Sequence, residues 1–575
     1  MSKTFYRGLI LASVLIPWGC SNSDPDPGGG SGGAAQAGSG GSGLGAGGTL
    51  GGGGTLGSGG GSNAAGGGPT NAGGGPSNAG GGPTNTGGGP DGSGGGVTSP
   101  DPTVHLEEAG QRQLIRGFGI NNNWSAIGSD SAKVFGNGEG QLGLNILRIG
   151  MKESGEPYES GSYTDINNVV TQTSARDEPH YIIATLWSPP TTCKSTGTIA
   201  DGGHLKEECY DTWSDTIAGF ADKIEANTNT TLYAMSPQNE ADFASCGFSE
   251  PCNGNYDTTE MTAVEAVAFQ QIVGPKLRAK GVIPMSPEAS EWIHVWSNIS
   301  ATGSQPSNLP SSDPFNCGCY ANAITAEVEA TCEQTCKDGN GYDYGHWMYK
   351  NEAAWAQFDI MGTHQYDSQI AFAWPADVPK GNKEVWQTEM SGVKWWPEQG
   401  TLTPAADNGR NGGQNIASTT TIENGVAVAR WVHSGLVVGE ANAWLWWWYK
   451  ASIASDNEVL VTSAGEAKRF YTYGQFTKFI RPGYHRVDFT GNVPDKVLIS
   501  AYKSDDGKVV IVAINETTTE QTVPIIISGG TAPAMLTPYV TSSTDNIAAK
   551  AAVAVTGGVL SAVLPAMSVT TYVTE

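Results

Sequence analysis

Tyr233-Ala-Met-Ser-Pro-Gln-Asn-Glu-Ala-Asp242 sets the pattern for the chain: a short apolar run that stops at a carboxylate, Glu240. An Asn-Glu pair alone carries little, because surface loops hold such dipeptides by chance. A second run ends the same way, in Glu384-Val-Trp-Gln-Thr-Glu389. Similar runs recur at Gly117–Ile120, Asn145–Ile149, Tyr181–Trp187, Leu232–Pro237, Val282–Pro287, Phe358–His364 and Ala443–Tyr449, with helix-compatible or loop segments between them. Strands alternating with helix-sized segments build a parallel sheet, and eight of them predict an α/β fold, a (β/α)8 TIM barrel. Chemistry in that fold sits at the carboxyl ends of the strands, where Glu240 and Glu389 both fall.

Beyond Glu458 the texture changes. Lys496–Lys503, Lys508–Asn515, Thr522–Ile527 and Ser568–Val573 read as strands separated by Gly, Asp and Asn turns, which predicts an attached antiparallel β-sandwich side domain. Near the other end, Val104–Ile115 mixes apolar and polar residues around Ala109-Gly110 as a hairpin would, and can pair with that side domain. The expected layout is a signal segment at 1–20, a linker at 21–102, the barrel at 103–458 and the sandwich at 459–575.

The 575 residues carry a formal net charge of −25, which argues against nucleic acid and against an anionic membrane surface as partners. Lys3 and Arg7 precede an apolar stretch, Leu9–Trp18, and Gly19-Cys20 follows, which resembles a bacterial lipoprotein cleavage site with Cys20 as the lipidated residue. Simple secretion is the alternative. From Ser21 to about Pro100 the chain is almost wholly Gly, Ser, Ala, Asn, Thr and Pro, too polar to offset its backbone entropy. It predicts a tether reaching on the order of 50 Å. A lipid anchor, a tether and a folded head describe a cell-surface protein, expected to be a monomer and to touch the membrane only through the anchor.

Of nine cysteines, setting Cys20 aside leaves eight, grouped as Cys193 with Cys209, Cys246 with Cys252, and Cys317, Cys319, Cys332 and Cys336 together. The last group misses the usual zinc-knuckle spacing, so disulfides are the default and neither a metal nor a cofactor is expected.

Cleaving a glycosidic bond needs two carboxyl groups flanking the anomeric carbon, one protonated to assist the leaving oxygen and one ionised to attack or to activate water. Glu240 follows Asn239, whose amide can hold a sugar hydroxyl, and is the candidate acid. Glu389 is the candidate nucleophile. Trp187, Tyr366, the Trp395-Trp396 pair and Trp444, Trp446, Trp447 and Trp448 fall at or just after strand ends, and sugar rings stack their CH faces on such planes. Trp187 and Trp446 are the expected cleft residues, and strand alternation assigns some of the other tryptophans to packing. His364 is placed to hydrogen-bond the nucleophile or a hydroxyl. The expected partner is a neutral polysaccharide. Without turnover, an aromatic-lined tethered head would serve as a carbohydrate-binding surface protein.

These motifs resemble the family 30 glycoside hydrolases, and most closely their bacterial xylanase branch. The resemblance rests on Arg116-Gly-Phe-Gly119, Gln141-Leu-Gly-Leu-Asn-Ile-Leu-Arg-Ile149, Ser236-Pro-Gln-Asn-Glu240, Asp359-Ile-Met-Gly-Thr-His-Gln-Tyr366, Trp386-Gln-Thr-Glu389 and Lys478-Phe-Ile-Arg-Pro-Gly-Tyr484. It implies a barrel with an attached sandwich, retention of anomeric configuration, Glu240 as acid/base, Glu389 as nucleophile, and an endo-β-1,4-xylanase acting on xylan or glucuronoxylan. Other branches cut β-1,6-galactan or β-1,6-glucan. Members that require glucuronate side chains carry an arginine just after the eighth strand. Here that run is Tyr449-Lys-Ala-Ser-Ile-Ala-Ser455, and Lys450 or Lys394 is a point charge and not a bidentate fork. The sequence therefore leaves a strict glucuronate requirement open. The cysteine-rich insertion from Asp313 to Gly345 and the longer segment from Ser391 to Asn415 also depart from the typical pattern.

Overall fold

The computed structural model describes residues 100–200, 202–242, 257–296, 342–366, 371–392, 421–451 and 458–574. Cys20, the linker to residue 99, Cys246, Cys252, Cys317, Cys319, Cys332, Cys336, Lys394 and the Trp395-Trp396 pair lie outside the described residues.

Eight parallel strands close into a barrel: Gly117–Asn121, Ile146–Met151, Tyr181–Leu186, Ala234–Met235, Ile283–Ala289, Ile360–His364, Glu384–Glu389 and Ala443–Trp448. Each coincides with one of the expected runs to within two residues at either end. Most of the runs are largely apolar because these strands are buried on both faces. Along the second strand Leu147 and Ile149 join the large core shared with the surrounding helices, while Ile146 joins a separate cluster with Tyr181, Ile183, Met285, Ile360, Trp386 and Leu445 that fills the barrel interior. Gly119 permits that filling, since a Cβ there would stand 2.7 Å from Leu445 Cγ and 2.8 Å from Ile146 Cβ.

Helices Ser162–Ser174, Tyr210–Asn227, Ala263–Ala279, Ile422–Val437 and Lys468–Thr477 contribute to the outer layer. Ala263–Ala279 starts on a capping box, in which Thr262 Oγ1 accepts from Glu265 N at 3.2 Å and Glu265 Oε2 accepts from Thr262 N at 2.7 Å. Lys468–Thr477 falls within the stretch expected to be side domain, and it packs on the barrel as well as on sandwich strands. Its Tyr473 hydroxyl donates to Gly119 O at 2.9 Å or Trp444 O at 3.0 Å, on two adjacent barrel strands.

The sandwich draws on both ends of the chain. Thr103–His105 pairs parallel with Gln521–Ser528 and antiparallel with Phe489–Thr490, while Gln111–Leu114 pairs antiparallel with His485–Val487. The Val104–Ile115 segment is therefore not a hairpin. The turn Glu108–Gly110 carries the chain between two sheets, and each strand finds its partner some 370 or more residues away.

Strand Val509–Asn515 is buried at all 7 positions. Val509, Ile511 and Ala513 enter the sandwich core, whereas Val510, Val512 and Ile514 enter the core shared with the barrel helices. Helix Ile422–Val437 packs on this strand, and across the seam Arg430 Nε donates to Glu516 Oε1 at 2.5 Å.

His433, in the same helix, is 9 % exposed, and no hydrogen bond from the described residues reaches its Nδ1. Burial, reinforced by Arg486, pushes its pKa down to about 4. Above pH 6.5 the ring is neutral folded or unfolded. As pH falls from 6.5 towards 4 only the unfolded chain takes up the proton, so stability is lost across that window, by up to about 3 kcal/mol. His433→Leu should remove this component, flattening denaturant-melt stability between pH 6.5 and 4 relative to the native chain.

Candidate active site

Inside the barrel the inward-facing residues change from apolar to polar towards the carboxyl ends: Ile146 gives way to Arg148, Ile183 to Thr185, and Ile360 to His364. Arg148 is the hub of the polar layer and is 0 % exposed. Its Nη1 donates to Glu389 Oε2 at 2.7 Å and Asn121 Oδ1 at 2.8 Å, its Nε to Glu288 Oε1 at 3.1 Å, and its Nη2 to Asn239 Oδ1 at 2.5 Å. A buried guanidinium without partners would cost several kcal/mol, so this acceptor set is what makes the interior position tenable.

Glu389, on the seventh strand, is held at both oxygens, with the Tyr366 hydroxyl donating to Oε1 at 2.9 Å opposite Arg148. Burial pushes its carboxyl above the usual range, against the opposing pull of His364, Arg148 and the Tyr366 bond. The Tyr366 phenol is itself pushed well up by burial and stays a donor.

Glu240 follows the fourth strand. Its backbone is left-handed (φ 46°), as is that of Glu288 (φ 59°), and Glu240 N donates to Glu288 O at 3.0 Å. Such a conformation costs a non-glycine residue roughly 1 kcal/mol, a strain characteristic of sites where side chains must be aimed. The ladder is irregular at the same level: register slips between Pro287 and Ala289, Thr363 and His364, and Trp446 and Trp448.

Glu240 Oε1 lies 2.9 Å from His364 Nδ1, and one polar atom from each of Glu240, His364 and Glu389 falls within 4.8 Å of the others. This grouping has the size of a cation site. Arg148 already places a positive charge against Glu389, so the geometry suits a pair of opposed acids better than a metal cage. His364 is fully buried, and burial holds its imidazole below the usual pKa and hence neutral.

The structure brings Glu240, Glu389, Asn239, His364 and Tyr366 to one barrel mouth. Trp187 borders it, with the Arg148 guanidinium 5.4 Å from its ring centroid. Around Trp187 gather Trp124 at 4.8 Å, Tyr158 at 5.4 Å and Trp447 at 6.2 Å. Gly150 leaves room for them, because a Cβ there would stand 2.6 Å from Trp187 and 2.7 Å from Tyr158. The loop after Trp187 is fastened by the Cys193–Cys209 disulfide and by Lys194 Nζ, 2.5 Å from Ile199 O and 3.2 Å from Ser188 Oγ.

Trp446 is not a cleft residue. Strand alternation turns Ala443 and Leu445 into the barrel and Trp444 and Trp446 out to the helices. There Trp446 is 0 % exposed, its Nε1 donates to Glu458 O at 3.1 Å, and the Arg469 guanidinium lies 6.0 Å from its ring. The register slip just after it swings Trp447 to the mouth.

Sequence reasoning singles out neither Arg148 nor Glu288. Both carried a signal: Glu288 is a third carboxylate directly after a strand-like run, and Arg148 is a charge inside one.

A model of the glycosyl hydrolase family 30 beta sandwich domain matches residues 483–572. The chain is 28% identical over 476 residues to the glucuronoxylanase XynC of Bacillus subtilis, covering 81% of this chain and 90% of that protein. Among solved structures, it resembles the family 30 subfamily 8 xylanase Xyn30A of Clostridium acetobutylicum at 25% identity and a TM-score of 0.59, covering 82% of this chain and 99% of the other. A family 30 endoxylanase of Clostridium papyrosolvens C71 matches at 26% identity and a TM-score of 0.57, covering 83% of this chain and 100% of the other. The closed barrel, the sandwich drawn from both ends and these relatives converge in support of glycoside hydrolase family 30, near its xylanase branch.

Proposed function

We propose that the protein is a retaining endo-β-1,4-xylanase in which Glu389 is the nucleophile and Glu240 the general acid/base. The observation that carries this reading is the approach of the two carboxylates, oxygen to oxygen within 4.8 Å. Retaining enzymes keep the pair at roughly 5 Å, whereas inverting ones leave about 6.5 Å or more for a water. Glu389, ionised between Arg148 and Tyr366, attacks the anomeric carbon while Glu240 gives its proton to the departing glycosidic oxygen. Water then attacks the glycosyl-enzyme bond, returning its proton to Glu240 and freeing Glu389.

Asn239 fits the adjoining sugar hydroxyl. Its Oδ1 is taken by Arg148, while its buried Nδ2 has no hydrogen-bond partner among the described residues and can donate to substrate. Trp187 and the rings around it supply apolar planes for the xylose chain. Similarity to a glucuronoxylanase and to two xylanases supports xylan as the substrate. A strict glucuronate requirement is not part of the reading, because the segment after the eighth strand offers Lys450 and no arginine. The charged leader and Gly19-Cys20 support an enzyme that acts outside the cytoplasm, held through Cys20 or released.

A polysaccharide panel with product analysis tests this. Glucuronoxylan and arabinoxylan should both yield β-configured oligosaccharides, while β-1,6-galactan and β-1,6-glucan stay intact. No cleavage of any xylan overturns the substrate, cleavage of glucuronoxylan alone restores the side-chain requirement, and α-configured initial products overturn retention.

A further inference from the structure

We infer that Glu288 is a positioning residue that keeps the proton on Glu240, acting through His364; this rests on the carboxylate-pair reading above. Glu288 is 1 % exposed and stands where three parts of the site meet. Its Oε1 accepts from Arg148 Nε, its Oε2 accepts from the Thr185 hydroxyl at 2.6 Å, and its backbone oxygen accepts from Glu240 N. It reaches neither the gap between the two reacting carboxylates nor, in the steps above, the substrate.

Its leverage comes from where it lies relative to the imidazole. His364 Nε2 is 4.0 Å from Glu288 Oε1 and 3.8 Å from Glu389 Oε2, and its Nδ1 faces Glu240. A neutral imidazole carries one hydrogen; Nε2 is buried without a hydrogen-bond partner among the described residues, and the two carboxylates beyond bonding reach on that side favour the hydrogen there by charge alone. Nδ1 is then an acceptor, and it can accept from Glu240 only while Glu240 is protonated. The tautomer fixed from one side thus selects the acid form on the other.

The charge count points the same way. The groups facing Glu288 are Arg148 on the second strand, His364 on the sixth, Glu389 on the seventh and, through its backbone, Glu240 after the fourth; Thr185 on the third adds a neutral hydroxyl. Asp242 is bound by Ser290 N at 2.7 Å and His294 Nδ1 at 2.6 Å. Glu288 and Glu389 share the single positive charge of Arg148, so a further negative charge at Glu240 is disfavoured. Neutralising Glu288 leaves all of Arg148's charge to Glu389 and lightens the load on Glu240, so both acids should ionise at lower pH.

The test is the pH profile of kcat/KM on xylan for Glu288→Gln, with a thermal melt of the same preparation. Both limbs should move to lower pH by about one unit, the effect of removing a like charge a few ångströms away, with kcat at neutral pH reduced about tenfold. A purely structural role would lower the melting temperature and leave the limbs in place, and unmoved limbs in folded protein overturn the inference. Should Glu288→Gln fail to fold, Glu288→Asp carries the test: its carboxylate, drawn back from Arg148 and His364, should move both limbs the same way by about half a unit. Unmoved limbs there overturn it equally. Activity persisting in Glu240→Gln and Glu389→Gln would defeat the carboxylate-pair reading itself, whereas inactivity of those two with unmoved limbs in the Glu288 variants defeats only the positioning role.

Discussion

Glu389→Gln should reduce kcat on xylan by about 10⁴-fold or more, since it removes the atom that bonds to the anomeric carbon. The substitution is nearly isosteric. The amide oxygen can still accept from Tyr366, but the amide nitrogen turns a donor towards Arg148, where a 2.7 Å bond to a carboxylate stood. Glu288 still offsets the Arg148 charge at 3.1 Å, so the protein is expected to fold, with a lowered melting temperature. Reducing-sugar release alongside a circular-dichroism melt separates the two effects. Wild-type turnover in the variant would remove Glu389 from the nucleophile role. As the proposed nucleophile, Glu389 should also set the acid limb: burial raises its pKa and the reactive form is ionised, so activity should be lost on acidification at a pH above the ordinary carboxylate value.

Glu240→Ala should fail differently. Without a proton donor, kcat on xylan is expected to drop by about 10²–10⁴-fold, as for loss of a general acid. An aryl xyloside with a good leaving group needs no proton and should still glycosylate Glu389, giving a burst followed by slow turnover. Azide, which needs no general base, should restore turnover on that substrate and yield the β-glycosyl azide. An α-configured azide product, or equal losses on xylan and on the aryl xyloside, would show that Glu240 is not the acid/base.

The barrel was legible because its strands are buried on both faces and so mostly appear as largely apolar runs, stopped by a polar residue at the mouth. Glu240 and Glu389 stood out for the same reason, and their mutual distance became measurable only once the strands were closed into a ring. Arg148 escaped notice inside the run Asn145–Ile149: one charge in an apolar strand gives no hint that four acceptors from other strands surround it. Glu288 was hidden because Pro287 closed the run one residue early. Trp446 lies on the helix side by the same alternation that turns Ala443 and Leu445 inward, and a count along Trp444–Trp448 cannot reveal the later register slip that brings Trp447 to the mouth. The segment Val104–Ile115 failed as a hairpin since its partners lie hundreds of residues downstream, beyond any local turn signal.

Strand Val509–Asn515 belongs to two cores at once, and that has a bearing on how the chain unfolds. The family match to the sandwich begins at residue 483 and ends at 572, as though a portable cassette had been appended to a catalytic barrel. Val510, Val512 and Ile514 deny that portability, because they are part of the packing of helix Ile422–Val437 and of the barrel behind it. The cassette could not be exchanged for another sandwich, or dropped, without exposing that apolar layer to water. Barrel and sandwich should therefore unfold as one cooperative unit, neither keeping its core when the other is removed.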